Sequence, residues 1–320
     1  MLGRLKSKKL LVYSFVGVNV ILLVVNIFLL LDQQRSSDAV GNSDVQYPLL
    51  SKRLFTEKPN DTIINFVPLR SSLRDYHSKI IEPTGIYFEY LPSGTSVGIN
   101  SGDPFFGASL LKLPVAMKAY KLIEQGIVDK KHELTITEKN IDKGFGNLWQ
   151  RGVGSKVTVD EVINLSITQS DNTADSVLRD LVQPRPVSDV FDYLDIETDV
   201  AEGPGAGVSP RGFASVLRAL YLSAYLSYSD SNELLNTMTD TPYKDRLVAG
   251  VPKDVKVAHK VGIYKEPANE DVQVHSDCGI VYVPKRPYIL CIMSDAKIDQ
   301  ATKYMSDISK LVYDYVYSAN

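Results

Sequence analysis

The chain has 320 residues, 44% of them apolar and 23% charged, a globular composition that excludes wholesale disorder. Its formal net charge of −3 argues against a dedicated nucleic-acid binder. Two Cys exclude a disulfide scaffold or a four-Cys zinc site, and the four His contain no H-E-x-x-H pair, so neither a metal nor a cofactor is expected.

Residues 10–31 are an apolar run of 22 residues without a charge. As a helix it would reach ~33 Å, enough for the ~30 Å hydrocarbon core of a bilayer. Arg4, Lys6, Lys8 and Lys9 precede it, and Asp32, Arg35 and Asp38 follow it. The positive-inside rule then leaves residues 1–9 as a cytoplasmic tail and sends the rest outside. A cleaved signal peptide is the alternative. Its apolar region normally spans ~7–15 residues before a small-residue cleavage site, and residues 28–31 offer none. The expectation is a single-pass signal-anchor in the cell membrane, a polar stalk over 32–70 and an extracytoplasmic domain over 71–320.

Within that domain, Leu73, Tyr76 and Ile80 suit a short helix. Strands are expected over 85–91 and 96–99 around a Pro-Ser-Gly turn. A helix over 109–125 carries Leu110, Leu113, Met117 and Tyr120 on one face, and Pro114 requires it to begin near Ser109. Further helices are read over 159–168, 173–182, 187–194, 210–227 and 232–239. A strand over 255–263, a hairpin of 279–283 with 288–293 and a helix over 297–317 close the chain. The predicted fold is α+β: one five-stranded antiparallel sheet flanked by helices, with a mainly helical subdomain. If Val283 faces Tyr288 in the hairpin, Cys278 and Cys291 lie diagonally, a poor arrangement for a bridge; a shifted register would oppose them directly. Both a disulfide and two buried thiols stay open.

Ser109-Leu110-Leu111-Lys112 is an S-x-x-K, which on a helix brings an amine within reach of a hydroxyl. A serine needs an adjacent base to become a nucleophile, and a lysine serves once its pKa is depressed. The pattern is loose. Ser294-Asp295-Ala296-Lys297 is a second copy, which reads as a helix N-cap with a solvated lysine. What distinguishes the first copy is its company: Ser170-Asp171-Asn172 and then Lys260-Val261-Gly262. With this order the sequence resembles the class A β-lactamase-like serine hydrolases, the penicillin-recognising group marked by S-x-x-K, S-D-N and K-T-G. Phe106-Gly107-Ala108 before the serine, the stretch from Ser209 to Phe213 and the final hairpin are also similar.

The resemblance implies a role for each matching residue. Ser109 would be the acylated nucleophile and Lys112 its base. Ser170 would relay a proton to the leaving nitrogen, and Asn172 would hold the substrate amide and support Lys112. Lys260 would attract the substrate carboxylate, beside Val261 and Gly262. Backbone N–H groups of Ser109 and Ile263 would form the oxyanion hole. Read without the resemblance, Ser170 and Asn172 are turn caps and Lys260 a surface charge. Phe145 and Trp149 either rim the cleft or pack.

Two departures stand out. Val261 replaces the family's Thr, removing a hydroxyl from carboxylate recognition. The E-x-x-L-N stretch that carries the family's deacylating Glu is missing from residues 195–209, leaving Glu202, then Glu197, as the nearest carboxylates unless both are solvated loop residues. Three functions compete: a β-lactam hydrolase, a DD-peptidase-like penicillin-binding enzyme on cell-wall peptides with slow deacylation, and a wall-binding domain without turnover. Each takes a β-lactam or cell-wall peptide partner, and a monomer is expected.

Overall fold

The computed structural model describes residues 64–196, 207–266 and 269–319. The anchor and most of the stalk expected from the sequence lie outside these residues, as do Glu197 and Glu202. Among the described residues no helix is long and apolar enough to cross a membrane.

Helix α1 (Val67–His77) leads into β1 (Thr84–Tyr90) and β2 (Thr95–Ile99). Near the other end, β7 (Val257–Glu266), β8 (Asn269–Val281) and β9 (Tyr288–Ser294) precede α8 (Ile298–Ser318). The five strands form one antiparallel sheet in the order β2-β1-β9-β8-β7. The first strand group thus joins the last, as the sequence predicts. Strand alternation gives the sheet two different faces. Ile86, Phe88 and Tyr90 of β1 and Tyr288, Leu290 and Ile292 of β9 enter the core under α1 and α8, with Leu69, Leu73, Met305 and Val312. Tyr87 and Glu89 point the other way, where Arg218 donates to the buried Glu89 carboxylate at 2.7 Å.

The helices between the strand groups occupy that second side. They are α2 (Lys112–Glu124), α3 (Val159–Thr168), α4 (Asn172–Val182), α5 (Pro186–Tyr193), α6 (Pro210–Tyr221) and α7 (Tyr228–Thr239). Helix α2 is buried almost all round, as a central helix must be when its apolar residues are not confined to one stripe. Helices α3, α4 and α5 pack on it. Short ladders join β3 (Phe105–Phe106) to β6 (Gly207–Val208) and β4 (Glu133–Thr135) to β5 (Lys156–Thr158).

Several expected boundaries move. The first helix reaches back to Val67, where Asn65 Oδ1 accepts the Val67 N–H and Pro68 stands in the opening turn. The helix expected from Ser109 divides into a 3-10 turn, Ala108–Leu111, and α2 from Lys112, so that Pro114 falls where no ladder N–H is needed. Helix α6 stops at Tyr221 because Ser223 is left-handed, and α7 starts at Tyr228 because Ser227 caps it. The second S-x-x-K copy is no N-cap: Ser294 ends β9, sharing a hydrogen bond with Thr84 at 2.8 Å, and Lys297 precedes α8.

The hairpin register is also corrected. Val281, not Val283, faces Tyr288, and the Arg286 N–H closes the turn on Val283 O. That shift of two residues puts Cys278 directly opposite Cys291, and they form a disulfide. Cys278 in turn faces Lys260 across β7 and β8.

Leu73 is fully buried in the core beneath the sheet. Leu73→Ala should lower stability by about 2–5 kcal/mol. In urea denaturation the midpoint should fall with an unchanged slope.

Candidate active site

The S-x-x-K motif spans the 3-10 turn, where residues i and i+3 eclipse, so Ser109 and Lys112 project from the same side. Ala108, just before the serine, has φ +45°, a left-handed conformation that costs energy outside glycine and gathers at functional sites. Ser109 is half-buried at the surface of this turn, and Lys112 is only 5% exposed.

The S-D-N motif forms the bend between α3 and α4. Ser170 is also left-handed, at φ +55°. Asp171 holds the bend: its Oδ1 accepts the Ala174 N–H at 2.8 Å as the N-cap of α4, and its Oδ2 accepts the Leu148 N–H at 2.8 Å. The Asn172 N–H donates to Phe145 O at 3.0 Å. The loop over 142–148 is therefore sewn to the motif, which gives Phe145 a backbone role the sequence did not suggest. Trp149 receives the Lys143 ammonium over its ring at 5.3 Å.

Three parts of the chain meet at Ser170. Lys112 Nζ donates to Ser170 O at 2.5 Å and to Asn172 Oδ1 at 2.6 Å, with Ser170 Oγ at 3.4 Å. Lys260 Nζ reaches Ser170 Oγ at 2.9 Å and Val261 O at 3.2 Å. Lys260 is 1% exposed, so the surface-charge reading of it is excluded. Burial pushes the Lys112 amine down to about 8, against the opposing pull of Asp175 and Asp171. Burial, then the Lys112 charge, lowers Lys260 well below the usual lysine range.

Gly262 shows why the third motif ends in glycine. A Cβ there would stand 3.2 Å from Leu110 Cγ and 3.3 Å from Gly107 O. The edge strand thus lies so close to the serine turn that a side chain between them would press on Leu110 and the Gly107 carbonyl. Ile263 follows, half-buried, on the same strand. Phe106 and Tyr264 stack at 3.9 Å between ring centroids and tie the two segments together.

Val261 alternates to the opposite face from Lys260 and Gly262. There it is buried and faces Asp277 across the ladder. Asp277 accepts the Leu247 N–H at 3.0 Å and pairs with His259 Nδ1 at 2.8 Å. Arg246, next to Leu247, is buried with its Nε lacking a partner, while Nη1 bonds Asp245 at 2.6 Å. Burial, then the Arg246 charge, pushes His275 down to about 4. Arg246 gives no signal in the sequence, being one arginine in an aperiodic stretch; only its burial marks it. Among the described residues no cluster of three His, Cys, Asp or Glu is gathered to hold a metal.

A family model described as the Beta-lactamase enzyme family matches residues 68–316. The chain belongs to that family. It is 25% identical over 236 residues to a β-lactamase of Streptomyces albus G, covering 68% of this chain and 73% of that one. It is 21% identical over 245 residues to β-lactamase VEB-1 of Pseudomonas aeruginosa, covering 68% and 80%. A mutant of PBP-A, solved as an acyl-enzyme complex with penicillin G, is 26% identical with a TM-score of 0.71, covering 77% of this chain and 95% of that one. The protein is a serine β-lactamase-like hydrolase with the β-lactamase/transpeptidase-like α+β fold.

A Cβ on Gly146 would fall 2.0 Å from Asp171 Oδ2, and Gly146 has φ +80°. Gly146→Ala should therefore displace the Asp171 carboxylate and loosen the bend that carries Ser170. The expected cost is about 2–4 kcal/mol in denaturant titration. Hydrolysis by the folded fraction should fall with it; an unchanged rate would show that the loop does not hold the bend.

Proposed function

We propose that this protein is a membrane-tethered hydrolase that opens β-lactam amides through a Ser109 acyl-enzyme. The observation that carries this reading is the meeting of Lys112, Lys260 and Asn172 around Ser170, beside the serine turn. An amine with a pKa near 8 is partly neutral at physiological pH. Lys112 then takes the Ser109 proton as Oγ attacks the amide carbon. The carbonyl oxygen gains charge and is received by the N–H groups of Ser109 and Ile263. The C–N bond breaks as Ser170 gives its proton to the leaving nitrogen, and the Lys112–Lys260 pair supplies Ser170 in turn.

Lys260 meets the substrate carboxylate. An arriving anion raises the depressed pKa of the lysine, so binding the anion and charging the amine reinforce each other. Arg246 is buried and incompletely bonded, beside Leu247, whose N–H bonds the Asp277 that faces Val261.

A second reading is favoured by the missing E-x-x-L-N: a DD-peptidase-like penicillin-binding enzyme whose acyl-enzyme persists. The likeness to PBP-A supports it. Under the first reading Glu202, then Glu197, is the nearest carboxylate in sequence for deacylation. Under either reading, residues 10–31 tether the catalytic domain outside the cell.

Intact mass after mixing with penicillin G tests the core of the proposal. An adduct equal to the whole penicillin should form on the native protein and be absent from Ser109→Ala. An adduct lost within minutes, with product released, supports the hydrolase; one lasting hours supports the second reading. No adduct at all overturns both. The acylation rate should rise with pH and level off near 8, because the neutral form of Lys112 is the reactive one. A profile flat from pH 6 to 9 would remove Lys112 as the base. The full chain should stay with membranes through an alkaline wash, and a chain begun at residue 32 should not.

A further inference from the structure

Asn172 has two polar ends, and the site uses both. Its Oδ1 accepts from Lys112 at 2.6 Å. Its Nδ2 donates to Asp142 Oδ1 at 3.0 Å. The same Asp142 oxygen accepts the Gly144 N–H at 2.7 Å, which fixes the carboxylate in the turn. The backbone of Asp142 is pinned as well: its N–H donates to Thr173 Oγ1 at 3.0 Å, and its carbonyl accepts from that hydroxyl at 3.0 Å. Asp142 is thus joined to α4 at two consecutive residues. Gly144 leaves the space this needs, since a Cβ there would stand 3.0 Å from Asp142 Oδ1 and 3.1 Å from Asn172 Nδ2.

We propose that Asp142 is a positioning residue for acyl transfer: its carboxylate fixes the Asn172 amide with the carbonyl toward Lys112. Without that carboxylate the amide is free to turn over and offer an N–H to an amine that needs an acceptor. An asparagine Nδ2 carries two hydrogens. One is committed to Asp142, and the other is left for the amide carbonyl of an acyl donor. Asp142 also acts through space. Asp175 and Asp171, and to a smaller extent Asp142, favour the Lys112 ammonium against burial and Arg179, while Lys260 approaches from β7. The inference rests on the acyl-transfer reading above for its kinetics, but not for its electrostatics.

The test uses Asp142→Ala and Asp142→Asn. Penicillin G acylation should fall about 10- to 100-fold in the alanine variant, the range expected for one charge-assisted hydrogen bond. Asparagine keeps an acceptor for Asn172 and should recover part of that loss. In both variants the acid limb of the pH–rate profile should move to lower pH, because an anion near Lys112 has gone. Asn172→Ala combined with Asp142→Ala should be no slower than Asn172→Ala alone. Equal acylation by native and Asp142→Ala protein, or full additivity in the double variant, overturns the proposal. The Lys112 ammonium can also be titrated without substrate by carbon NMR, its signal assigned by its loss in Lys112→Met. A lowered Lys112 pKa in both folded variants supports the proposal even if penicillin never acylates the native chain, a result that would sink only the acyl-transfer reading. An unchanged Lys112 pKa overturns it.

Discussion

Two lysine amines withdrawn from water beside one serine hydroxyl are the constraint around which this molecule is arranged. An isolated buried ammonium is costly, and two in one cavity are worse. The protein answers in two ways. It lowers the affinity of both amines for protons, and it gives Lys112 two close acceptors, the Ser170 carbonyl and the Asn172 amide, within the field of the Asp175 and Asp171 charges. Under the proposed acylation the cost of burial is turned to use, because an amine that gives up its proton near neutrality can take one from a hydroxyl. The left-handed backbone at Ala108 and Ser170 is a further cost of bringing these groups together.

The scaffold's task is then to hold three distant parts of the chain in register. The serine turn rests on the edge strand through Gly262. The S-D-N bend rests on the 142–148 loop through Asp171, Asn172 and Thr173. Helix α2 is gripped on several sides, so Lys112 has a fixed base from which to extend. Lys260 comes from the sheet and Lys112 from the helical layer. Their meeting point is therefore also where the two layers are joined.

The candidate site was legible in the sequence because its motifs put particular side chains in a particular order. Ser109, Lys112, Ser170, Asn172 and Lys260 could be picked out by type and order, and the structure brings their segments together. The five-stranded sheet was legible from periodicity. What escaped was set by geometry rather than residue type. The disulfide depended on whether Val281 or Val283 faces Tyr288, a choice of register that alternation along the strands leaves open. The early part of β8 was hidden because its polar residues read as loop. Asp142 is one acidic residue among many until Asn172 is seen leaning on it, and Arg246 is one basic residue until its burial is known.

The strand order has a bearing on how the molecule comes into being. β1, near the start of the described chain, is flanked on one side by β2 and on the other by β9, almost two hundred residues later. No local hairpin can satisfy that second edge. The sheet stays open until nearly the whole domain has left the ribosome, and closing it requires contacts of very high sequence separation, which slow folding. Until then β1 offers an apolar, unpaired edge of the kind that invites aggregation. Lys260 lies in the late half of the same sheet, so the two amines cannot be brought together first and stabilised afterwards. Catalytic competence is thus one of the last properties the chain acquires, and a chain cut short before β9 would have the serine turn and the S-D-N bend but no closed sheet to align them.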